Sequence, residues 1–268
     1  MPAAIETDSL TKSYGDATAL AGLDLSIPQG AVYGFLGPNG AGKTTTMRIL
    51  TTLTAPTSGD AWVMGDHVSD RDAVVDHIGY LPETPPVYDE LTAREQLSYL
   101  ADLRDLDAAQ RDRIDPLVER FGLAEAADDP IRTYSKGMRQ KAALAGTVLQ
   151  DPDVIFLDEP TSGLDPRAAR TVRDLIAELA AEGRTVFLST HILPVVEELA
   201  DTVGMLANGR LVAEGAPAAL KRRAEASAEA TVAGGDAASD ATERTLEDVF
   251  LSVTDEPAWQ GESTGVEG

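Results

Sequence analysis

Gly37-Pro38-Asn39-Gly40-Ala41-Gly42-Lys43-Thr44 satisfies the spacing G-x-x-x-x-G-K-[ST] without a gap. The octapeptide follows the apolar run Ala31-Val32-Tyr33-Gly34-Phe35-Leu36 and leads into residues 45–53, which have helical spacing. Glycines let such a loop curl until successive backbone N–H groups point inward, and a helix starting near Lys43 adds the partial positive charge of its N-terminus. Phosphate oxygens are the ligand that suits this geometry. Lys43 is placed to reach the β- and γ-phosphates as a point charge, and the Thr44 hydroxyl to ligate Mg²⁺. The loop implies binding of a nucleoside triphosphate.

The chain has 268 residues, 43% of them hydrophobic, enough for one large α/β domain or two small ones. No apolar stretch approaches the roughly 20 residues of a membrane span, and the N-terminus lacks the basic-then-apolar layout of a signal peptide. A soluble or peripheral protein that is not exported is expected. With no cysteine, disulfides, thiol catalysis and cysteine-based metal sites are excluded, and the three scattered histidines (His67, His77, His191) have no zinc spacing. The formal net charge is −23, and the basic residues are mostly arginine. That balance resembles proteins of halophiles: at molar salt the Debye length is about 3 Å, so a dense carboxylate surface stays soluble without strong self-repulsion. It also argues against nucleic acid as a partner, which needs a basic footprint.

Residues 5–27 alternate apolar and polar around Tyr14-Gly15-Asp16, which predicts antiparallel strands ahead of the phosphate loop. After the break at Ala55-Pro56-Thr57-Ser58-Gly59, another strand is predicted over residues 60–64, with Trp62 in the core. Residues 92–149 read as helical, with turns near Asp107, Gly122 and Asp128-Asp129-Pro130. The α/β pattern returns with the fully apolar Val154-Ile155-Phe156-Leu157, a helix over 166–182, and Thr185-Val186-Phe187-Leu188. Asn208-Gly209 predicts a type I′ hairpin within 203–212. Residues 224–242 read as a linker, 243–254 as a short docking helix, and 255–268 as a disordered tail.

Asp158-Glu159 ends an apolar strand, the edge at which α/β sheets put their ligands. Asp158 is placed to hold the metal, and Glu159 to orient or deprotonate a water attacking the γ-phosphate.

These residues, in this order, resemble the ATP-binding cassette ATPases, specifically the stand-alone nucleotide-binding subunits of ABC transporters. The resemblance covers about residues 4–223. Tyr134-Ser135-Lys136-Gly137-Met138-Arg139-Gln140 is similar to the family signature, Ser162-Gly163-Leu164-Asp165 to the D-loop, and His191 to the switch histidine. The implied fold is α/β, a P-loop NTPase core with an N-terminal antiparallel β-layer and an α-helical subdomain inserted at about 84–150. The implied activity is hydrolysis of ATP with Mg²⁺. Implied nucleotide contacts are Tyr14, stacking on adenine, then Gly37, Pro38, Asn39, Gly40, Ala41, Gly42, Lys43, Thr44 and Thr45, with Glu83, Ser135, Gly137 and Asp165. Glu159 and His191 are the implied catalytic pair, and Thr44, Asp158 and Glu83 the implied metal ligands. In the family's architecture, Ser135 of one subunit faces Lys43 of another across a composite site. The implied partners are a second subunit, in a homodimer, and an integral-membrane permease, on the cytoplasmic face of the cell membrane.

Four positions depart from the family pattern: Tyr134 for Leu, Lys136 for Gly, Met138 for Gln, and Glu83 where a glutamine is usual. A carboxylate at position 83 can accept a bond from metal-bound water but cannot donate one. Glu83, residues 246–251 and the lone-subunit layout resemble the drug- or sodium-exporter branch. A soluble cassette ATPase without a transport role is the competing reading, and a nucleotide sensor with little turnover a third. An apolar groove near Pro85-Pro86-Val87-Tyr88-Asp89-Glu90-Leu91-Thr92 would favour transport, and a basic one nucleic acid.

Overall fold

The most apolar runs of the chain become the middle of a six-stranded sheet. In the computed structural model, which describes residues 2–223, β3 (Val32–Leu36), β7 (Val154–Asp158) and β8 (Thr185–Thr190) are buried at every position. Parallel strands covered on both faces require such uniform composition. Their sheet runs β10-β9-β3-β8-β7-β6, with β6 (Ile78–Leu81), β9 (Thr202–Ala207) and β10 (Arg210–Gly215). Only the β9–β10 pair is antiparallel. Leu36 lies opposite Thr190, and Asp158 opposite Ser189, so the carboxyl ends of β3, β7 and β8 reach one common edge.

A second, antiparallel sheet runs β2-β1-β4-β5, from β1 (Ala3–Tyr14), β2 (Ala17–Pro28), β4 (Ser58–Val63) and β5 (Asp66–His67). Its buried face carries Ile5, Leu10, Leu23 and Ile27, which share one core with Met47 and Ile49 of α1 (Lys43–Leu50) and with Phe35, Phe156 and Phe187 of the central strands. The aromatic rings form a continuous group, with Tyr33 stacked on Phe187 at 5.6 Å and Phe35 and Phe156 tilted against the same ring.

The connection from β5 to β6 is α2 (Arg71–His77). Between β6 and β7 stand α3 (Ala93–Leu103), α4 (Ala108–Arg111), α5 (Ile114–Arg120) and α6 (Lys136–Thr147). A capping box, Thr92 with Glu95, fixes the start of α3. On the other side of β7 comes α7 (Pro166–Ala181), begun by Asp165, whose side chain accepts from the N–H groups of Arg167 and Ala168. It buries Val172, Leu175, Ile176 and Leu179, the helical spacing of one face. After β8, α8 (Leu193–Leu199) covers β3 and β8. This is the α/β architecture read from the sequence, with its antiparallel layer and inserted helices.

The differences are local. The helix after the phosphate loop spans 43–50, because Thr52 turns to a positive φ of 61° and ends it short of residue 53. Trp62 was expected in the core. It is only partly buried, because Ala61 and Val63 take the inward positions of β4 and leave Trp62 on the other face, its ring edge-on to His67 at 5.5 Å. Strand β6 and helix α2 carry no strong periodicity and were not anticipated. Asn208 and Gly209 have φ of 48° and 72°, as a type I′ turn demands. The segments expected over 224–242, 243–254 and 255–268 lie outside the described residues.

Gly204 faces the Tyr33 hydroxyl so closely that an added Cβ would overlap it. Tyr33 cannot retreat: it is 2% exposed, stacked on Phe187, and donates its O–H to Glu214 at 2.7 Å. Gly204→Ala is therefore expected to destabilise the fold by about 1–3 kcal/mol, the usual cost of overpacking a core. Chemical denaturation checks this.

Candidate active site

Where the carboxyl ends of β3, β7 and β8 meet, the phosphate loop closes over a pocket of about 300 Å³. Pro38, Asn39, Gly40, Gly42, Lys43, Thr44 and Thr45 line it from the loop, Asp158 and Glu159 from β7, Glu83 from the segment after β6, and His191 from the end of β8. Gly37 and Ala41 lie under the loop. The Gly37 carbonyl accepts from Lys43 Nζ at 2.6 Å, and Ala41 is buried with its N–H donating to Pro38.

Gly42 enters α1 with φ 113°, a conformation that favours glycine, and a Cβ there would meet the Ala19 carbonyl at 2.6 Å and Leu20 Cδ2 at 2.8 Å. The loop is thus pressed onto β2 at the one residue that turns it into the helix. The first turn of α1 contains no acidic side chain. Its positive end is left for an external anion.

Three charged side chains are buried together. Lys43 Nζ lies 3.8 Å from Glu159 Oε1 and also donates to the Pro38 carbonyl. Burial pushes the lysine's pKa down, opposed by the carboxylates of Glu159, Asp158 and Glu83. Burial pushes Asp158 up, countered by the Thr44 hydroxyl that donates to its Oδ2 at 3.0 Å, while the charges of Glu159 and Glu83 add to the rise. Nearby Tyr80 is pushed up to about 12, by burial first and then by Asp158.

Glu159 has a φ of 49°, unusual for a residue with a side chain. Its backbone N–H donates to Ser189 and its carbonyl accepts from Ser162. Oε1 faces His191 Nδ1 at 2.9 Å, and Oε2 accepts from Thr190 Oγ1 at 3.0 Å. A carboxylate only accepts, so Nδ1 carries the ring proton in this contact.

Other expected residues lie elsewhere in the chain. Ser135 caps α6, accepting from Met138 N–H, and with Gly137 and Asp165 it lines a separate pocket of about 190 Å³. Gly137 is buried against α7, where a Cβ would come within 2.7 Å of Ala168. Tyr14 ends β1 half-exposed, with Lys12 Nζ 4.9 Å from its ring centre, and it does not line the phosphate pocket. Tyr134, in place of leucine, is buried and donates its hydroxyl to the Ala126 carbonyl. Sequence reasoning passed over three residues of the site. Ala19 and Ser162 line the pocket, and Thr190 holds Glu159. Ala19 has no sequence signal; Ser162, to which no role was assigned, is the first residue of the D-loop segment, and Thr190 immediately precedes His191.

The ABC transporter family model matches residues 20–162. The daunorubicin/doxorubicin resistance ATP-binding protein DrrA of Streptomyces peucetius is 43% identical over 220 residues, 81% of this chain and 67% of that protein. The bacitracin transport ATP-binding protein BcrA of Enterococcus faecalis is 34% identical, over 94% of this chain and 82% of that one. A solved ATP-binding subunit of an ABC transporter superposes with a TM-score of 0.77 at 29% identity, covering 93% of this chain and 99% of the other. The chain belongs to the ABC transporter ATPase family: it is an ATP-binding, ATP-hydrolysing subunit.

Gly42→Ala is expected to cost about 1–3 kcal/mol, since an L-residue is strained at that φ and its Cβ meets backbone. The same change is expected to weaken nucleotide binding, because relaxation shifts the loop. Thermal unfolding and titration with a fluorescent ATP analogue read the two effects separately.

Proposed function

We propose that this subunit dimerises head to tail around ATP and powers a separate membrane permease in the export direction. The observation that carries the chemical part is the joint burial of Lys43, Asp158 and Glu159 beneath the phosphate loop. In this reading the loop N–H groups and Lys43 hold the phosphates, and Glu159 orients or deprotonates the attacking water. The residues also fit Mg²⁺. Thr44 and Asp158 present hard oxygens side by side, with Glu83 at the rim. Among the described residues no group of three or more His, Cys, Asp or Glu could hold a metal ion. When bound, the ion neutralises charge on the β- and γ-phosphates. His191, now paired with Glu159, is the proposed γ-phosphate contact, and Tyr14 the proposed adenine contact.

Two observations support the dimer. Ser135 and Gly137, at the start of α6, line a pocket separate from that of Lys43, so a second copy has to supply them if both groups are to touch one nucleotide. The helix start offers a hydroxyl and free N–H groups suited to a phosphate.

The permease reading draws on another surface. A groove of about 710 Å³ between the core and the helical block is lined by Leu53, Tyr80, Leu103 and Leu106, with Arg71 and Arg104 balanced by Asp76 and Asp105. Leu53 and Leu103 are 54% and 66% exposed, and Tyr88 and Tyr99 form an exposed edge-on pair at 5.3 Å. None of residues 85–92 lines this groove, but its mixture of apolar and polar side chains with balanced charge suits a protein segment better than nucleic acid. Among the described residues no helix is long and apolar enough to cross a membrane. Export is supported by the name of a relative, the Nod factor export ATP-binding protein I of Paraburkholderia xenovorans, and a peripheral location on the cytoplasmic face of the membrane is part of the same permease reading. We further infer adaptation to concentrated salt from the net charge of −23.

The test is ATPase rate against protein concentration in molar KCl, wild type beside Glu159→Gln and Lys43→Ala. The expected result is a rate per subunit that rises with concentration and is higher than in dilute buffer. Glu159→Gln is expected to lose roughly a hundredfold or more in turnover while retaining ATP in a closed dimer. Lys43→Ala is expected to lose ATP binding. A rate per subunit independent of concentration would overturn the composite site, and normal turnover in Glu159→Gln would remove it as the base.

A further inference from the structure

Thr190 is the last residue of β8 and is fully buried. Its hydroxyl makes two directed bonds: Oγ1 donates to Glu159 Oε2 at 3.0 Å and accepts from the Ile192 N–H at 3.0 Å. The second bond fixes the lone pair, and therefore the direction in which the O–H points. A β-branched side chain on a strand has little rotational freedom left to undo this.

The other two groups on the carboxylate differ in kind. His191 and Lys43 both address Oε1, the histidine with a half-exposed side chain and the lysine from 3.8 Å. Each also faces the pocket in which phosphates would sit. A triphosphate competes for both. Thr190 does not line that pocket, and both of its bonds lie within the chain, so nothing that binds draws it away.

We propose that Thr190 is a positioning residue for hydrolysis: it pins Oε2 of Glu159 so that Oε1, once released by His191 and Lys43, faces the attacking water. The proposal rests on the reading of Glu159 as the base. A carboxylate at a φ of 49° sits on a short, strained connection, and its side chain needs a fixed point to hold one orientation. Thr190 supplies it from the neighbouring strand, through a register that places Ser189 opposite Asp158.

The test compares Thr190→Val, which keeps the shape and loses the hydroxyl, with Thr190→Ser, which keeps the hydroxyl. In Thr190→Val, kcat is expected to fall about tenfold, equivalent to about 1.4 kcal/mol. KM and the affinity for a fluorescent ATP analogue are expected to stay within about twofold, because ground-state binding is untouched. Thr190→Ser is expected to recover kcat to within about threefold of wild type. In a Glu159→Ala background, Thr190→Val is expected to cause no further loss, since it acts only through that carboxylate. Thr190→Cys, with a feeble donor of similar size, is expected to show the same loss of kcat if the valine form does not fold. A wild-type kcat in Thr190→Val, an equal loss in Thr190→Ser, or an added loss on Glu159→Ala would each overturn the proposal while leaving Glu159 as the base. Normal turnover in Glu159→Ala would overturn both.

Discussion

Lys43, Asp158 and Glu159 cannot be buried singly, and the way they are buried together governs the rest of the molecule. Each charge taken from water has to be met by a partner. Asp158 is met by the Thr44 hydroxyl, Glu159 by Thr190 and His191, and Lys43 by the carbonyls of Gly37 and Pro38 and by Glu159. None of these partners is adjacent in sequence to the group it serves, except within the phosphate loop. They meet because β3, β7 and β8 are parallel and in register, so that Leu36, Asp158 and Thr190 end at one edge. The fully buried parallel strands are thus what makes a charged pocket possible.

The same edge explains why one chain holds two separate pockets at helix starts. The phosphate loop opens α1 at the end of β3, and Ser135 opens α6 after a long helical excursion. Helix α6 returns to the core through Gly137, whose lack of a side chain lets α7 approach at Ala168. That contact ties Ser135 to Asp165, the cap of α7, and so to the turn that follows Glu159. The two surfaces are connected through backbone and helix caps while their pockets stay apart. In the proposed head-to-tail dimer, a movement that brings one copy's Ser135 to another copy's Lys43 would therefore act on the segment carrying Glu159.

Much of this was legible in the sequence, for physical reasons that differ by element. The octapeptide, the run Val154-Ile155-Phe156-Leu157 before Asp158 and the Asn208-Gly209 turn each allow few alternative conformations, and they fold as read. Trp62 falls short of the core because the alternation of β4 gives the inward positions to Ala61 and Val63. Strand β6 was missed because Ile78-Gly79-Tyr80-Leu81 is short and interrupted by glycine. The structure supplies the reason for that glycine: any Cβ would strike the Thr147 carbonyl. Thr190 was passed over because one hydroxyl in a buried strand has no pattern of its own, and its part becomes visible only when the register sets it beside Glu159.

Outside the pocket the charge problem is solved by different means. Arg94 joins Asp115 and Asp128, Arg120 joins Glu178 and Glu182, and Arg184 joins Asp151 and Glu182. Single exposed pairs contribute little, but a planar guanidinium spanning two carboxylates at once restrains both. Arg120 lies on α5 and its partners on or next to α7, while Arg113 reaches Asp151 just before β7. These bridges run along the exposed rim of the packing between the helical block and the core, over the cluster in which Leu117, Val118 and Phe121 meet Val172, Leu175 and Leu179. In an acidic chain, arginine relieves repulsion between carboxylates and links, at the surface, elements that the hydrophobic core joins beneath. Lysine, offering one point of charge, is the better choice only where a phosphate has to be met alone, and Lys43 is the lysine that lies buried in the pocket built for one.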